Sequence, residues 1–162
     1  MREIPDWCVE AETALRAALV PVDTVLGPRY PGHLIAIDGR TAVGKTTLAR
    51  YLTWAINVPH IEGDMYLEEH ETEYRHRHDD LARIIDSRMT EHLPRPIIIE
   101  SVTALRLLKR IGRRPDYLIY TQNNEEFDET SSHANDMLSY EAEYNPRARA
   151  DLLLTIPTPS WI

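Results

Sequence analysis

Cysteine is almost absent from this chain of 162 residues. Cys8 stands alone, which excludes an internal disulfide and any metal site built from cysteines. No apolar run approaches the roughly 18 residues that a membrane-spanning helix requires, so no membrane partner is expected. The opening residues, Met1 to Cys8, lack the basic stretch followed by an apolar one that marks a secretory signal, and a cytoplasmic address is the expectation. Excess positive charge is missing too. The formal net charge is −8, which gives no general attraction for nucleic acid, and no nucleic-acid partner is expected. Lysine is scarce: only Lys45 and Lys109 accompany sixteen arginines. Internal repeats and low-complexity stretches are lacking as well. What remains is the length and composition of one globular domain, 43% hydrophobic and 27% charged.

Strands alternate with helices along that domain. Residues 6–20 have helical spacing, with Asp6 placed to cap them. A segment with three prolines and two glycines, residues 21–32, breaks the helix and completes an N-terminal unit of residues 1–32. The core spans residues 33–156 and a short tail residues 157–162. Within the core, apolar strands are expected at 33–38, 58–61, 97–99, 117–120 and 151–156. Helices are expected at 46–57, 79–93 and 103–111, and residues 122–144 are polar but compatible with helix. Short, almost wholly apolar strands are what a parallel sheet covered on both faces demands. The expected architecture is therefore three-layer α/β/α with a five-stranded parallel sheet.

Between the first core strand and its helix lies Gly39-Arg40-Thr41-Ala42-Val43-Gly44-Lys45-Thr46-Thr47, the pattern G-x-x-x-x-G-K-T. Its context matches its chemistry, because a strand must end and a helix begin around it. Gly39 and Gly44 let the backbone turn its amides inward, and those amides with the helix amino terminus form a concave anion site. Lys45, one of only two lysines, falls where a side chain reaches the β and γ phosphates. The Thr46 hydroxyl falls where it ligates Mg²⁺. This is a P-loop, and the fold expected is that of the P-loop nucleoside triphosphate hydrolases.

Two carboxylates complete the candidate site. Glu100 follows Ile97-Ile98-Ile99 at the sheet's active edge, where such a group holds the Mg²⁺ water shell; the competing reading is a helix-capping acid. Asp64, in Glu62-Gly63-Asp64-Met65-Tyr66-Leu67, is placed across from the γ phosphate to accept a substrate hydroxyl proton; the competing reading is an aspartate that only shapes its turn. His76 and His78 are two residues apart, a spacing that suits shared metal ligation poorly and favours a solvated or substrate-facing loop. Trp7, Trp54 and Trp161 read as core or edge packing.

Ile37 to Ala49 resembles the first motif of uridine kinase and its relatives, which include pantothenate kinase and phosphoribulokinase. Asp64-Met65-Tyr66-Leu67 is similar to that family's aspartate-x-aromatic motif, whose aspartate is a catalytic base. Arg95 to Arg106 resembles the family's third strand and following loop, and Tyr144 to Leu152 its closing segment, where Ala150-Asp151 opens the last strand. The resemblance implies a kinase that takes ATP and Mg²⁺ and phosphorylates a hydroxyl of a small metabolite such as a nucleoside.

One departure accompanies it. The family carries lid arginines after the fourth strand, whereas residues 121–146 hold Glu125, Glu126, Asp128, Glu129, Asp136, Glu141 and Glu143 without one lysine or arginine. Either another arginine substitutes or the chain is a nucleotide-binding module with slow or absent catalysis. The candidates are Arg75, Arg77, Arg106, Arg110, Arg113, Arg114, Arg147 and Arg149. Arg106 comes first because it follows Glu100 on a loop facing the site, making Lys45, Asp64 and Arg106 the expected catalytic set. The uncompensated acids are expected to keep the helix of this segment away from the phosphates, or to turn it toward a cationic acceptor, which disfavours an anionic one.

Overall fold

The computed structural model describes residues 3–19, 22–24, 27–29, 32–70, 72–89, 96–124 and 130–157. Helix α1 (Asp6–Ala18) is followed by a two-stranded antiparallel hairpin, β1 (Val22–Thr24) and β2 (Gly27–Arg29). The core follows as β3 (Leu34–Asp38), α2 (Lys45–Ile56), β4 (His60–Glu62), a 3₁₀ turn (Gly63–Tyr66) and α3 (His78–Met89). It continues through β5 (Ile97–Ser101), α4 (Ala104–Arg110), β6 (Tyr117–Gln122), α5 (Ala134–Tyr144), α6 (Pro146–Arg149) and β7 (Leu152–Thr155).

The five core strands form one parallel sheet in the order β4-β5-β3-β6-β7. Period-two alternation assigns each strand residue to a face. Leu34, Ala36, Ile97, Ile99 and Leu118 pack under α3, α4 and α5, which contribute Leu81, Ile85, Leu108, Met137 and Tyr140. Ile35, Ile37, Ile98, Ile119 and Leu154 face the other way, against Cys8, Ala11 and Leu15 of α1 and Leu48, Leu52 and Ile56 of α2. Two apolar faces and two helical layers make the α/β/α sandwich. Among the described residues no helix is long and apolar enough to cross a membrane.

Register decides what the sheet delivers. Ile37 pairs with Glu100, Asp38 with Ser101 and Glu62 with Glu100, so three acids arrive together at the carboxyl edge. That edge is where open α/β sheets bind ligands.

Several local expectations change. Pro5, not Asp6, occupies the N-cap of α1, and Asp6 instead adds an acid to the first turn, where it favours the helix dipole. The breaker segment contains the β1-β2 hairpin. The second core strand starts two residues later than expected, and α3 is described only to Met89, so residues 90–93 lie outside the described residues. Trp54 is 73% exposed rather than packed, Trp7 leans on the α1/α2 core, and Trp161 lies outside the described residues.

At the opposite, amino edge, two aspartates start strands in the same way. Asp116 accepts the Leu34 N–H at 2.7 Å and donates its own N–H to the Leu34 carbonyl at 2.8 Å. Asp151 repeats this with Leu118, at 2.8 and 2.9 Å. The Ala150-Asp151 pair thus lies just before β7, with its carboxylate capping the neighbouring strand. Leu118 is buried, so Asp151→Ala leaves its amide without that acceptor. The expected loss is about 1–3 kcal/mol of unfolding free energy, read by urea denaturation.

Candidate active site

The phosphate loop connects β3 to α2 and turns through three left-handed residues: Gly39 (φ 147°), Ala42 (φ 61°) and Gly44 (φ 84°). A Cβ on Gly39 would overlap the carbonyl oxygen of Thr121 on β6, so this turn requires glycine twice over. Ala42 takes an αL conformation that costs a residue with a Cβ roughly 1–2 kcal/mol. The loop is held from below. Gly39 N–H donates to Asp38 Oδ1 at 2.7 Å, and the Thr121 hydroxyl donates to the Asp38 carbonyl at 3.2 Å.

Lys45 is 6% exposed and folds back so that Nζ donates to the Arg40 carbonyl at 2.7 Å. It is therefore a buried lysine, not the exposed one its role suggests. Burial pushes its pKa down, and the charges of Glu100, Asp38 and Asp64 oppose that shift. The ammonium thus stands among three carboxylates. The Thr46 hydroxyl donates to Glu100 Oε1 at 2.9 Å, and the buried Glu100 Oε2 has no hydrogen-bond partner among the described residues. Burial raises the Glu100 pKa, with the Thr46 bond and Lys45 acting against it. A hydroxyl touching a carboxylate that keeps one oxygen in reserve is an all-oxygen donor set suited to Mg²⁺. Among the described residues no group of three or more His, Cys, Asp or Glu forms a metal cage.

Asp64 sits in the 3₁₀ turn, exposed, and its carboxylate makes no hydrogen bond among the described residues. Only its backbone carbonyl closes the turn, from Leu67 N–H at 3.3 Å. The turn is pressed against β5: a Cβ on Gly63 would lie 2.6 Å from the Glu100 carbonyl oxygen and 2.8 Å from Ser101 Cβ. This close approach seats Asp64 beside Glu100 and Lys45.

Residues 67–70 and 72–76 form a flap rather than an open loop. Leu67 bridges His76, and Glu68 N–H donates to the Arg75 carbonyl at 2.8 Å. His76 is buried, contrary to the expected solvated loop, with Nε2 3.1 Å from the Ser101 hydroxyl. Tyr74 pins the flap twice, through its N–H to Asp136 Oδ2 at 3.0 Å and its hydroxyl 3.4 Å from that of Thr41.

Arg106, expected as the catalytic cation, is engaged by Asp136 in this structure. Its Nη1 donates to both Asp136 oxygens at 2.8 and 2.9 Å, and its guanidinium lies over the Tyr140 ring. The acidic helix also departs from expectation. α5 packs against the phosphate loop, and its acids are matched by cations of this chain: Asp136 by Arg106, Glu141 by Arg40 and Glu143 by Lys109. These three are the acids of the segment that fall among the described residues. Glu125, Glu126, Asp128 and Glu129 lie outside the described residues.

Tyr140 was invisible as a site residue. Its hydroxyl bonds Asp38 Oδ2 and accepts the Leu105 N–H. Burial pushes the Asp38 pKa up to about 7, against the Tyr140, Gly39 and Lys45 interactions that lower it. One signal does exist: Ala134, Met137, Tyr140 and Tyr144 are three or four apart, the stripe of a buried helix face.

The sequence matches no protein-family model and no curated protein. Solved structures do resemble the fold. A possible uridine kinase from Bacillus stearothermophilus superposes with a TM-score of 0.64 over 92% of this chain and 97% of that one, at 16% identity. A putative fructose transport system kinase from Silicibacter sp. TM1040 superposes at 0.50 over 94% and 98%, at 13% identity. At such identities the likeness establishes the fold, and that fold is the three-layer P-loop fold expected above.

His76 and Asp38 tilt stability in opposite directions with pH. Burial and neighbouring cations push His76 down from 6.5 to about 4, so the unfolded chain gains a proton first on acidification, and stability is lost as pH falls through that window. Asp38 is raised from 3.8 to about 7, so the folded chain holds the extra proton, and stability is lost as pH rises. Urea midpoints between pH 4 and 7 test both signs. His76→Gln makes the slope of stability against pH more negative than in the parent, and Asp38→Asn makes it more positive.

Proposed function

We propose that the protein is an ATP-dependent kinase that phosphorylates a hydroxyl of a small metabolite, with nucleosides the first class to test. The observation that carries this reading is one constellation at the carboxyl edge. Buried Lys45, the Thr46–Glu100 pair with one oxygen unpartnered among the described residues, and Asp64, whose carboxylate makes no hydrogen bond among them, share a single electrostatic neighbourhood. A turn-shaping aspartate is expected to bond its own turn, and Asp64 does not.

In this reading the acceptor oxygen forms a bond to the γ phosphorus, the bond from that phosphorus to the β–γ bridging oxygen breaks, and ADP leaves. Asp64 takes the hydroxyl proton. Lys45 leaves the Arg40 carbonyl for phosphate oxygens, and the loop amides hold the remaining charge. Thr46 and Glu100 would hold Mg²⁺, which neutralises phosphate charge when bound. Both superposing structures are named as kinases, which supports the class without naming an acceptor here.

A second reading, a nucleotide-binding module without phosphoryl transfer, draws on the commitment of Arg106 to Asp136. Two variants separate them. Lys45→Met keeps the buried volume and is expected to weaken Mg·ATP binding strongly by calorimetry; equal affinity would remove the loop as the site. Asp64→Asn keeps the shape but accepts no proton. In a screen of hydroxyl compounds for ATP consumption it is expected to lose roughly 10²- to 10⁴-fold in turnover with ATP affinity retained. No acceptor-dependent ATP consumption by the parent, with Mg·ATP still bound, would establish the binding module instead.

A further inference from the structure

A cavity of about 670 Å³ opens beside the phosphate loop, walled by loop residues 40–43, the end of β6 and helices α5 and α6. Three of its described lining residues carry a guanidinium or a carboxylate: Arg40, Glu141 and Arg147. The first two neutralise each other. Arg40 Nε and Nη2 donate to the two Glu141 oxygens at 2.8 and 2.7 Å, a fork-to-fork pair, and the Tyr120 hydroxyl adds a third bond to Glu141 at 3.2 Å. Arg147 is left as the uncompensated charge. It is exposed and makes no hydrogen bond or ion pair among the described residues.

Its place is well defined. Asn145 ends α5 in the left-handed conformation (φ 44°), with its N–H on the Glu141 carbonyl at 2.9 Å. Buried Pro146 then begins α6. One turn thus joins the acid that engages Arg40 to the arginine that no acid engages among the described residues.

Other arginines are excluded by their partners or positions. Arg75, Arg77, Arg106 and Arg113 pair with Glu73, Asp80, Asp136 and Asp86. Arg114 and Arg149 line a separate cavity at the amino edge of the sheet. Arg110 stands near His76 and His78 at the end of α4.

We propose that Arg147, delivered by the turn after α5, is the cation that grips the triphosphate in place of the arginines missing from residues 121–146. The proposal rests on the kinase reading of the loop and deepens it. A guanidinium suits the task because it is always charged and offers paired donors to phosphate oxygens. The Arg40–Glu141 pair cancels the one acid among the described lining residues, which leaves Arg147 as their remaining charge.

The test is calorimetric titration of the parent, Arg147→Ala, Arg147→Lys and Arg149→Ala with Mg·ATP and with adenosine, alongside melting curves and Lys45→Met. Expected is a loss of roughly tenfold or more in Mg·ATP affinity for Arg147→Ala, the scale of a lost charge-assisted contact. Adenosine affinity and melting temperature stay at parent values, Arg147→Lys recovers part of the loss, and Arg149→Ala binds as the parent does. Unchanged Mg·ATP affinity in Arg147→Ala, with Lys45→Met still impaired, overturns the clamp and leaves the loop reading standing. Equal losses for Mg·ATP and adenosine overturn it too, since a phosphate contact cannot weaken a ligand without phosphate. A parent that binds no Mg·ATP overturns both readings.

Discussion

The buried carboxylate of Asp38 is the constraint around which the site is organised. Taking a charge out of water is costly, and this one is fully enclosed at the last residue of the central strand. Gly39 N–H, the Tyr140 hydroxyl and the Lys45 charge offset that cost. These interactions hold different parts of the molecule: the start of the phosphate loop, the middle of α5 and Lys45. Tyr140 also accepts the Leu105 N–H, so α4 joins the same node. Removing Asp38 from this arrangement would free the loop, the helix and the lysine together.

Fixing α5 to the loop changes what its acids mean. Read as a string, residues 121–146 form a negative segment hostile to a triphosphate. Folded, Asp136, Glu141 and Glu143 serve as anchors, each taking a cation from elsewhere in the chain. Asp136 does more, since it accepts from Arg106 and from the Tyr74 amide and thereby ties the flap to the helix. The charge that matters to a ligand is what remains after such pairing, and among the described lining residues of the cavity beside the loop that remainder is Arg147.

What was legible in the sequence is what is local. The strands, α2 and the phosphate loop are written in short windows of apolar period and glycine spacing, and Thr46 with Glu100 followed from a loop and a strand end. The rest depends on partners far apart in the chain. Arg40 and Glu141 are separated by 101 positions, Asp38 and Tyr140 by 102. Nothing in a window around Arg106 announces Asp136, thirty positions on, so an arginine well placed by sequence turned out to be occupied. His76 failed for a related reason. Its neighbours Arg75, Arg77 and His78 make the segment look solvated, while the flap backbone turns this one side chain inward to Ser101.

A wall held this firmly changes how the site meets its ligands. A mobile lid supplies charge only when it closes, and its arginines order at the moment of binding. Here Glu141 and Arg147 flank one turn whose conformation is set by Asn145 and by buried Pro146, and α5 is bolted to the loop by Tyr140 and Arg40. Pre-organisation of this kind lowers the entropy lost on binding, because the contacting groups are ordered beforehand. On the side of Asp64, the flap of residues 67–70 and 72–76 is itself tethered to the loop and to α5 through Tyr74. Tyr74 therefore links the two halves of the site, touching the phosphate loop with its hydroxyl and α5 with its amide.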